Sequence, residues 1–100
     1  MTTRRTEKIA RVIKESVSYT LLTRLSDPRI QGLVTITEVE VTPDLRQAVV
    51  YLSVVGVEPA AQQLTLKAIR HAAGVIQTAL GRSLTSRYVP HLRFEADQKV

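Results

Sequence analysis

The chain lacks several residues and segments on which common functions depend. It has no cysteine among its 100 residues, which excludes disulfides, thiolate catalysis, cysteine-ligated zinc and iron–sulfur clusters. Its aromatic content is 4%, too low for an aromatic platform that stacks unpaired bases. No apolar run approaches the roughly 18 residues of a membrane-spanning helix. The N-terminal sequence MTTRRTEKIA lacks the apolar core of a secretory signal.

The residue patterns of the common active sites are also missing. The two histidines, His71 and His91, fall in different predicted elements. The aspartates Asp27, Asp44 and Asp97 lie at predicted turns or strand ends, where turn formation explains them. Neither a metal-ligand spacing, nor a nucleophile elbow, nor a glycine-rich phosphate loop occurs. We therefore expect no enzyme, no cofactor, no metal and no small-molecule substrate.

The charge of the chain is unevenly distributed. A length of 100 residues with 44% hydrophobic residues predicts one domain with a real core. The formal net charge is +5, with +4 in residues 1–33, −3 in residues 34–58 and +5 in residues 59–94, which contain no carboxylate. Because a solvated surface normally mixes both signs, this distribution favours a polyanionic partner, with chance in a small protein as the alternative.

Hydrophobic spacing predicts five elements in the order helix, strand, strand, helix, strand. The first two strands form an antiparallel hairpin, and the alternation slips at Glu38, which indicates a bulge or a change of face. Only the first and last few residues resemble tails. The predicted ranges are 5–25, 34–41, 47–55, a second helix that begins at Pro59 and ends at Gly81, and 91–97.

Gly74 lies in the middle of the second predicted helix, where glycine costs about 1 kcal/mol relative to alanine. On a helical wheel it lies opposite the apolar stripe. The residues around it are Lys67, Arg70, His71, Gln77 and Thr78. Bare backbone on a basic face would let a phosphate or a base approach the main chain. The alternative is a helix broken in two without any binding role.

Several short motifs, in their order along residues 5–97, resemble the ribosome-binding factor A family. No single motif is specific, but the ordered set is. The motifs are Asp27-Pro28-Arg29, Val39-Glu40-Val41 with Asp44-Leu45, Ala48 with Val50-Tyr51, Ala72-Ala73-Gly74 with Ile76, Leu80-Gly81, and Arg87 with Val89-Pro90, Leu92, Phe94 and Asp97.

The resemblance implies an α+β fold, a single K-homology domain over residues 1–100 with an ordered core over about 5–97. Its type II arrangement is helix, strand, strand, kinked helix, strand, with a three-stranded mixed sheet and the helices on one face. In this family an Ala-x-Gly kink, here Ala72-Ala73-Gly74, replaces the usual glycine loop. Gln77 stands where many members carry arginine, which puts one phosphate contact of the family in question.

The resemblance also implies a cytoplasmic assembly factor that binds the immature small ribosomal subunit and its ribosomal RNA. Members support processing of the 5′ end of that RNA and matter for growth in the cold. They are not enzymes, and we expect a monomer without a membrane partner. The expected RNA-binding residues are Arg4, Lys8, Arg11, Lys67, Arg70, Ala72, Ala73, Gly74, Gln77, Arg82 and Arg87.

A second function remains open from the residues themselves. The acidic hairpin, with Glu38, Glu40 and Asp44, would be the functional surface of a protein-interaction domain, and the basic residues would be incidental. Retardation of ribosomal RNA fragments in a gel, against capture of protein partners from a ribosome-free lysate, separates the two functions.

Overall fold

The computed structural model describes residues 3–85 and 87–97 and contains six elements in the expected order. The second predicted helix is present as two. The predicted tails lie largely outside the described residues. The elements are α1 (Arg4–Thr23), β1 (Leu33–Val41), β2 (Gln47–Val55), α2 (Pro59–His71), α3 (Ala73–Ser83) and β3 (His91–Ala96).

Helix α1 begins at a reciprocal cap and buries one stripe. The Thr6 backbone N–H donates to the Thr3 hydroxyl at 3.2 Å, and the Thr3 N–H donates to the Thr6 hydroxyl at 2.9 Å. Ile9, Ile13 and Val17 are buried at helical spacing, as predicted. The helix ends at Thr23, two residues before the predicted end, since the chain must turn before the Asp27-Pro28 pair.

The sheet is mixed, and it has the order β1-β2-β3. Strands β1 and β2 pair antiparallel, with a register shift between Ile36 and Glu38 that confirms the predicted irregularity. Strand β3 pairs parallel with β2. Alternate residues of β2, Ala48, Val50 and Leu52, are buried toward the helices, so the helices cover one face of the sheet and leave the other open.

The core lies between the three helices and this covered sheet face. Ile13 of α1, Ile69 of α2, Ile76 and Leu80 of α3 and Val50 of β2 are fully buried within it. Every element contributes to this one cluster, which makes the described chain a two-layer α+β domain.

The second predicted helix is interrupted at Ala72, whose φ of −87° and ψ of 10° leave the α-helical region. Helix α2 ends at His71 and α3 begins at Ala73. The predicted end at Gly81 is wrong, because α3 continues to Ser83. Positive φ occurs at Gly32 and Gly56 but not at Gly81, so Gly81 does not form the left-handed cap that ends many helices.

Candidate nucleic-acid interface

Five of the cations that the sequence assigns to RNA binding lie on the sides of the helices that face away from the core. All five are exposed, and none forms an ion pair within the described part of the chain. We call this surface the basic helical face. Its residues are Arg4, Lys8 and Arg11 of α1, Lys67 of α2 and Arg82 of α3. The structure thus brings together on one layer five of the seven basic residues that the sequence assigns to RNA binding.

Gly74 is the exposed member of the kink. Ala72 and Ala73 are half-buried against the core, whereas Gly74 faces solvent. The Ala72 N–H donates to the carbonyl oxygens of Ala68 and Ile69 at 3.1 Å each, which ties the kink to the end of α2. A Cβ placed on Gly74 would meet no heavy atom within 4 Å, so packing does not require glycine there. The backbone at this position is open to a ligand.

Arg70 is partly committed to the sheet. Its Nε donates to the Phe94 carbonyl oxygen at 2.9 Å, and its Nη2 lies 3.2 Å from the Glu95 carboxylate. Glu95 also pairs with Arg93 at 3.3 Å. The carboxylate that follows the acid-free stretch therefore pairs with two of its five cations, which the linear charge count did not show.

Gln77 binds the backbone at the start of β3. Its Nε2 donates to the Pro90 carbonyl oxygen at 2.7 Å, and its Oε1 accepts from the Leu92 N–H at 3.0 Å. An arginine could donate to Pro90 but could not accept from Leu92, because guanidinium has no acceptor. The amide at this position thus positions β3, and both of its polar atoms are already engaged.

Two tyrosines have exposed side chains, and the sequence did not predict them as ligands because four aromatics appeared too few. Arg87 lies over the Tyr88 ring, with Cζ 5.6 Å from the ring centroid, so the two form a cation–π pair. Tyr88 is 53% exposed, and Tyr19 of α1 is 66% exposed. The hydrophobic spacing could have indicated these residues, because it places large aromatic side chains outside the buried positions.

The open face of the sheet carries carboxylates instead. Glu38, Glu40 and Glu95 surround Tyr51 there, and we call this surface the acidic sheet face. Hydrogen bonding to Glu40, with some desolvation and the charges of the other two carboxylates, raises the pKa of Tyr51.

Asp44, the third residue of the acidic hairpin, is used in the turn. It accepts from the Thr42 hydroxyl at 2.6 Å and from the Arg46 N–H at 3.1 Å. These hydrogen bonds, the Thr42 bond first, lower the pKa of Asp44. Of the three acidic residues predicted to form a docking surface, only Glu38 and Glu40 extend across the open face.

Among residues 3–85 and 87–97, no group of three or more His, Cys, Asp or Glu side chains could hold a metal ion. Within the same residues, no helix is both long and apolar enough to cross a membrane.

The element order, the mixed three-stranded sheet and the interrupted second helix define a K-homology-like domain, a common class of RNA-binding module. Residues 5–100 match the family model described as ribosome-binding factor A, and the chain belongs to that family.

Relatives and solved structures agree with this family. Ribosome-binding factor A of Acetivibrio thermocellus is 42% identical over 96 residues, which cover 96% of this chain and 77% of that protein. The protein of the same name from Caldanaerobacter subterraneus is 38% identical over 96% of this chain and 78% of its own length. The crystal structure of ribosome-binding factor A from Thermus thermophilus is 25% identical and has a TM-score of 0.73, with 91% of this chain and 94% of that chain covered.

A homology model of the Thermus thermophilus factor has been fitted into a cryo-electron-microscopy map of a complex of the 30S subunit with that factor. Its sequence is 24% identical to this chain, with 98% of this chain and 97% of that one covered, and the TM-score is 0.67. At this identity the likeness concerns the fold.

Proposed function

We propose that this chain is a ribosome assembly factor that binds the immature small ribosomal subunit through its ribosomal RNA. In this proposal residues 1–100 form one RNA-binding domain, which acts in the cytoplasm as a monomer without catalysis or cofactor. The names of the relatives and the complex of the Thermus thermophilus factor with the 30S subunit support the partner. The observation that carries the RNA-binding role is the basic helical face, whose five cations are exposed and without ion pairs in the described residues.

Binding would proceed mainly through the RNA backbone. Each phosphate neutralised by a lysine or arginine releases counterions, so affinity falls as salt rises. The exposed backbone at Gly74 would allow close approach of RNA to the start of α3. A factor that binds a folding intermediate better than the mature particle shifts the RNA toward the bound conformation without catalysing any step. Support for 5′-end processing and for growth in the cold follows in this proposal from that shift.

The direct test compares two glycines of α3. Gly74 and Gly81 are both exposed, lie seven residues apart on one helix face, and leave open space for a Cβ. Alanine at either position should keep the unfolding free energy unchanged or raise it by up to about 1 kcal/mol. We expect Gly74→Ala to weaken binding to small-subunit ribosomal RNA fragments at least several-fold, and Gly81→Ala to bind as the parent does. If both variants bind RNA equally well, the kink at Gly74 is not part of the RNA interface.

Co-sedimentation tests the partner itself. The parent chain should travel with immature small subunits in a sucrose gradient and less with mature ones, and Gly74→Ala should lose this association. In cells without the parent gene, Gly81→Ala but not Gly74→Ala should restore mature 5′ ends measured by primer extension, most visibly in the cold. Equal binding to immature and mature subunits would contradict a role in assembly.

The acidic sheet face supports the second candidate, a protein-interaction surface. Glu38 and Glu40 are exposed beside Tyr51 on the side of the sheet that no helix covers. If this surface carries the function, Glu38→Gln with Glu40→Gln should abolish capture of protein partners from a ribosome-free lysate. The same substitutions should leave RNA retardation in gels unchanged.

A further inference from the structure

A groove of about 470 Å³ runs between the C-terminal halves of α1 and α3. Arg24 follows the end of α1 and Arg82 lies in the last turn of α3, and both line the groove. Each is exposed and has no ion pair or side-chain hydrogen bond in the described chain. Each guanidinium group presents a planar fork of N–H donors that suits a phosphate, and two such groups without ion pairs line this one groove.

The remaining walls supply the other contacts that a nucleotide needs. The hydroxyls of Ser16 and Ser83 meet at 3.5 Å across the groove, and Ser83 has a second, long bond of 3.3 Å to the Ala79 carbonyl oxygen. Tyr19 lines the same groove with 66% of its surface exposed. Hydroxyls donate to phosphate oxygens, and an exposed tyrosine ring stacks on an unpaired base.

The groove is continuous with the interface already described. Arg82 belongs to the basic helical face, and Gly74 lies eight residues earlier on the same helix, about 12 Å away along its axis. One RNA segment could therefore contact both. Glu15 also lines the groove and is the one carboxylate that opposes an anionic ligand there.

We propose that this groove holds a segment of single-stranded RNA, with a phosphate between Arg24 and Arg82 and a base stacked on Tyr19. The inference rests on the RNA-binding function proposed above and adds a second contact to it. It commits to RNA instead of protein because the groove offers two unpaired cations, two hydroxyls and a flat aromatic ring, which match a nucleotide.

The test measures binding of a fluorescein-labelled, unstructured mixed-sequence RNA by anisotropy at several salt concentrations. Arg24→Gln and Arg82→Gln should each weaken binding and reduce the slope of log affinity against log salt by about 0.7. Arg46→Gln, which removes an exposed arginine at the hairpin turn, is the matched control and should leave the slope unchanged. Tyr19→Leu should weaken binding about 5- to 150-fold without changing the slope.

Glu15→Gln is a useful variant because it should raise the affinity for RNA, and damage to the fold would not raise it. It should tighten RNA binding several-fold, whereas Glu38→Gln on the acidic sheet face should not. Thermal unfolding of every variant should match the parent, since these side chains are exposed.

If the salt slope is unchanged in both arginine variants, or the RNA affinity is unchanged in Tyr19→Leu, the proposal that the groove binds RNA is wrong. Equal effects of Glu15→Gln and Glu38→Gln would also contradict it. If Gly74→Ala still loses binding in those cases, the proposed function survives without this groove. If the parent chain binds no RNA, both proposals are wrong.

Discussion

At the scale of single residues, the Asp27 carboxylate stabilises the turn after α1 through hydrogen bonds with Arg29. Its carboxylate accepts from the Arg29 N–H at 2.9 Å and from the Arg29 guanidinium Nη2 at 2.7 Å. These bonds, the side-chain bond first, lower the pKa of Asp27 from 3.8 to about 2. The folded state thus prefers the ionised carboxylate more than the unfolded state does.

This lowered pKa makes the Asp27 contribution depend on pH. A carboxylate whose pKa is lower in the folded state adds stability above its unfolded pKa and loses it as pH falls through the folded value. Asp27→Asn should therefore be less stable than the parent near neutral pH. The difference should shrink between pH 3.8 and about 2, measured by denaturant unfolding at each pH. A difference that stays constant into acid would contradict the role of ionisation.

Thr65 connects α2 to the segment before β1. It is fully buried, its hydroxyl donates to the Arg29 carbonyl oxygen at 3.0 Å, and it accepts from the Gln31 N–H at 3.1 Å. Thr65→Val keeps the shape of the side chain but leaves the Arg29 carbonyl oxygen and the Gln31 N–H without this hydrogen-bond partner. It should therefore lower the unfolding free energy by about 1–3 kcal/mol. The control is Thr23→Val, whose hydroxyl bonds the exposed Tyr19 carbonyl oxygen, with an expected change within about 0.5 kcal/mol. Equal losses in the two variants would contradict this account.

At the scale of elements, apolar periodicity predicted the strands and the two long helical stretches to within about two residues, because core-facing side chains impose that periodicity. Gly74 indicated where the second helix could be interrupted, since a mid-helix glycine is locally unfavourable, and the resemblance to the family implied the kink at Ala72-Ala73-Gly74. The continuation of α3 past Gly81 was not predicted, because a glycine carries no sign of whether its φ is positive.

The free edge of β3 is held by side chains from the two halves of the broken helix. Gln77 of α3 binds Pro90 and Leu92, and Arg70 of α2 binds Phe94. These contacts join residues far apart in the sequence, for which a single sequence gives no signal. Two residues predicted to bind RNA, Arg70 and Gln77, therefore also hold the sheet: Gln77 through both of its polar atoms and Arg70 in part.

Gln77→Leu tests this assignment. It leaves the Pro90 carbonyl oxygen and the Leu92 N–H without their partner and should lower the unfolding free energy by about 1–3 kcal/mol. Because both polar atoms of Gln77 already bind backbone, the salt dependence of RNA binding should remain that of the parent. A variant of parental stability that loses RNA affinity would instead place Gln77 in the interface.

At the scale of the whole molecule, the fold converts a distribution of charge along the chain into two opposite faces. The molecule measures 38 × 27 × 16 Å, so its helical and sheet faces are broad and close together. The basic helical face lies on one side, and the acidic sheet face lies on the other. The sequence showed the basic and acidic segments, but the sides they occupy follow from the packing of the helices on one face of the sheet.

This polarity predicts that the position of charge, and not its total, controls RNA binding. A chain with Lys8→Glu and Arg11→Glu on the helical face and Glu38→Lys and Glu40→Lys on the sheet face keeps the net charge of +5. If the helical face binds RNA, the salt slope should fall by about 1.4 for two lost phosphate contacts, and affinity should fall with it. The four positions are exposed, so thermal unfolding should stay near that of the parent. Binding that follows net charge alone would leave this variant equal to the parent and would contradict an oriented interface.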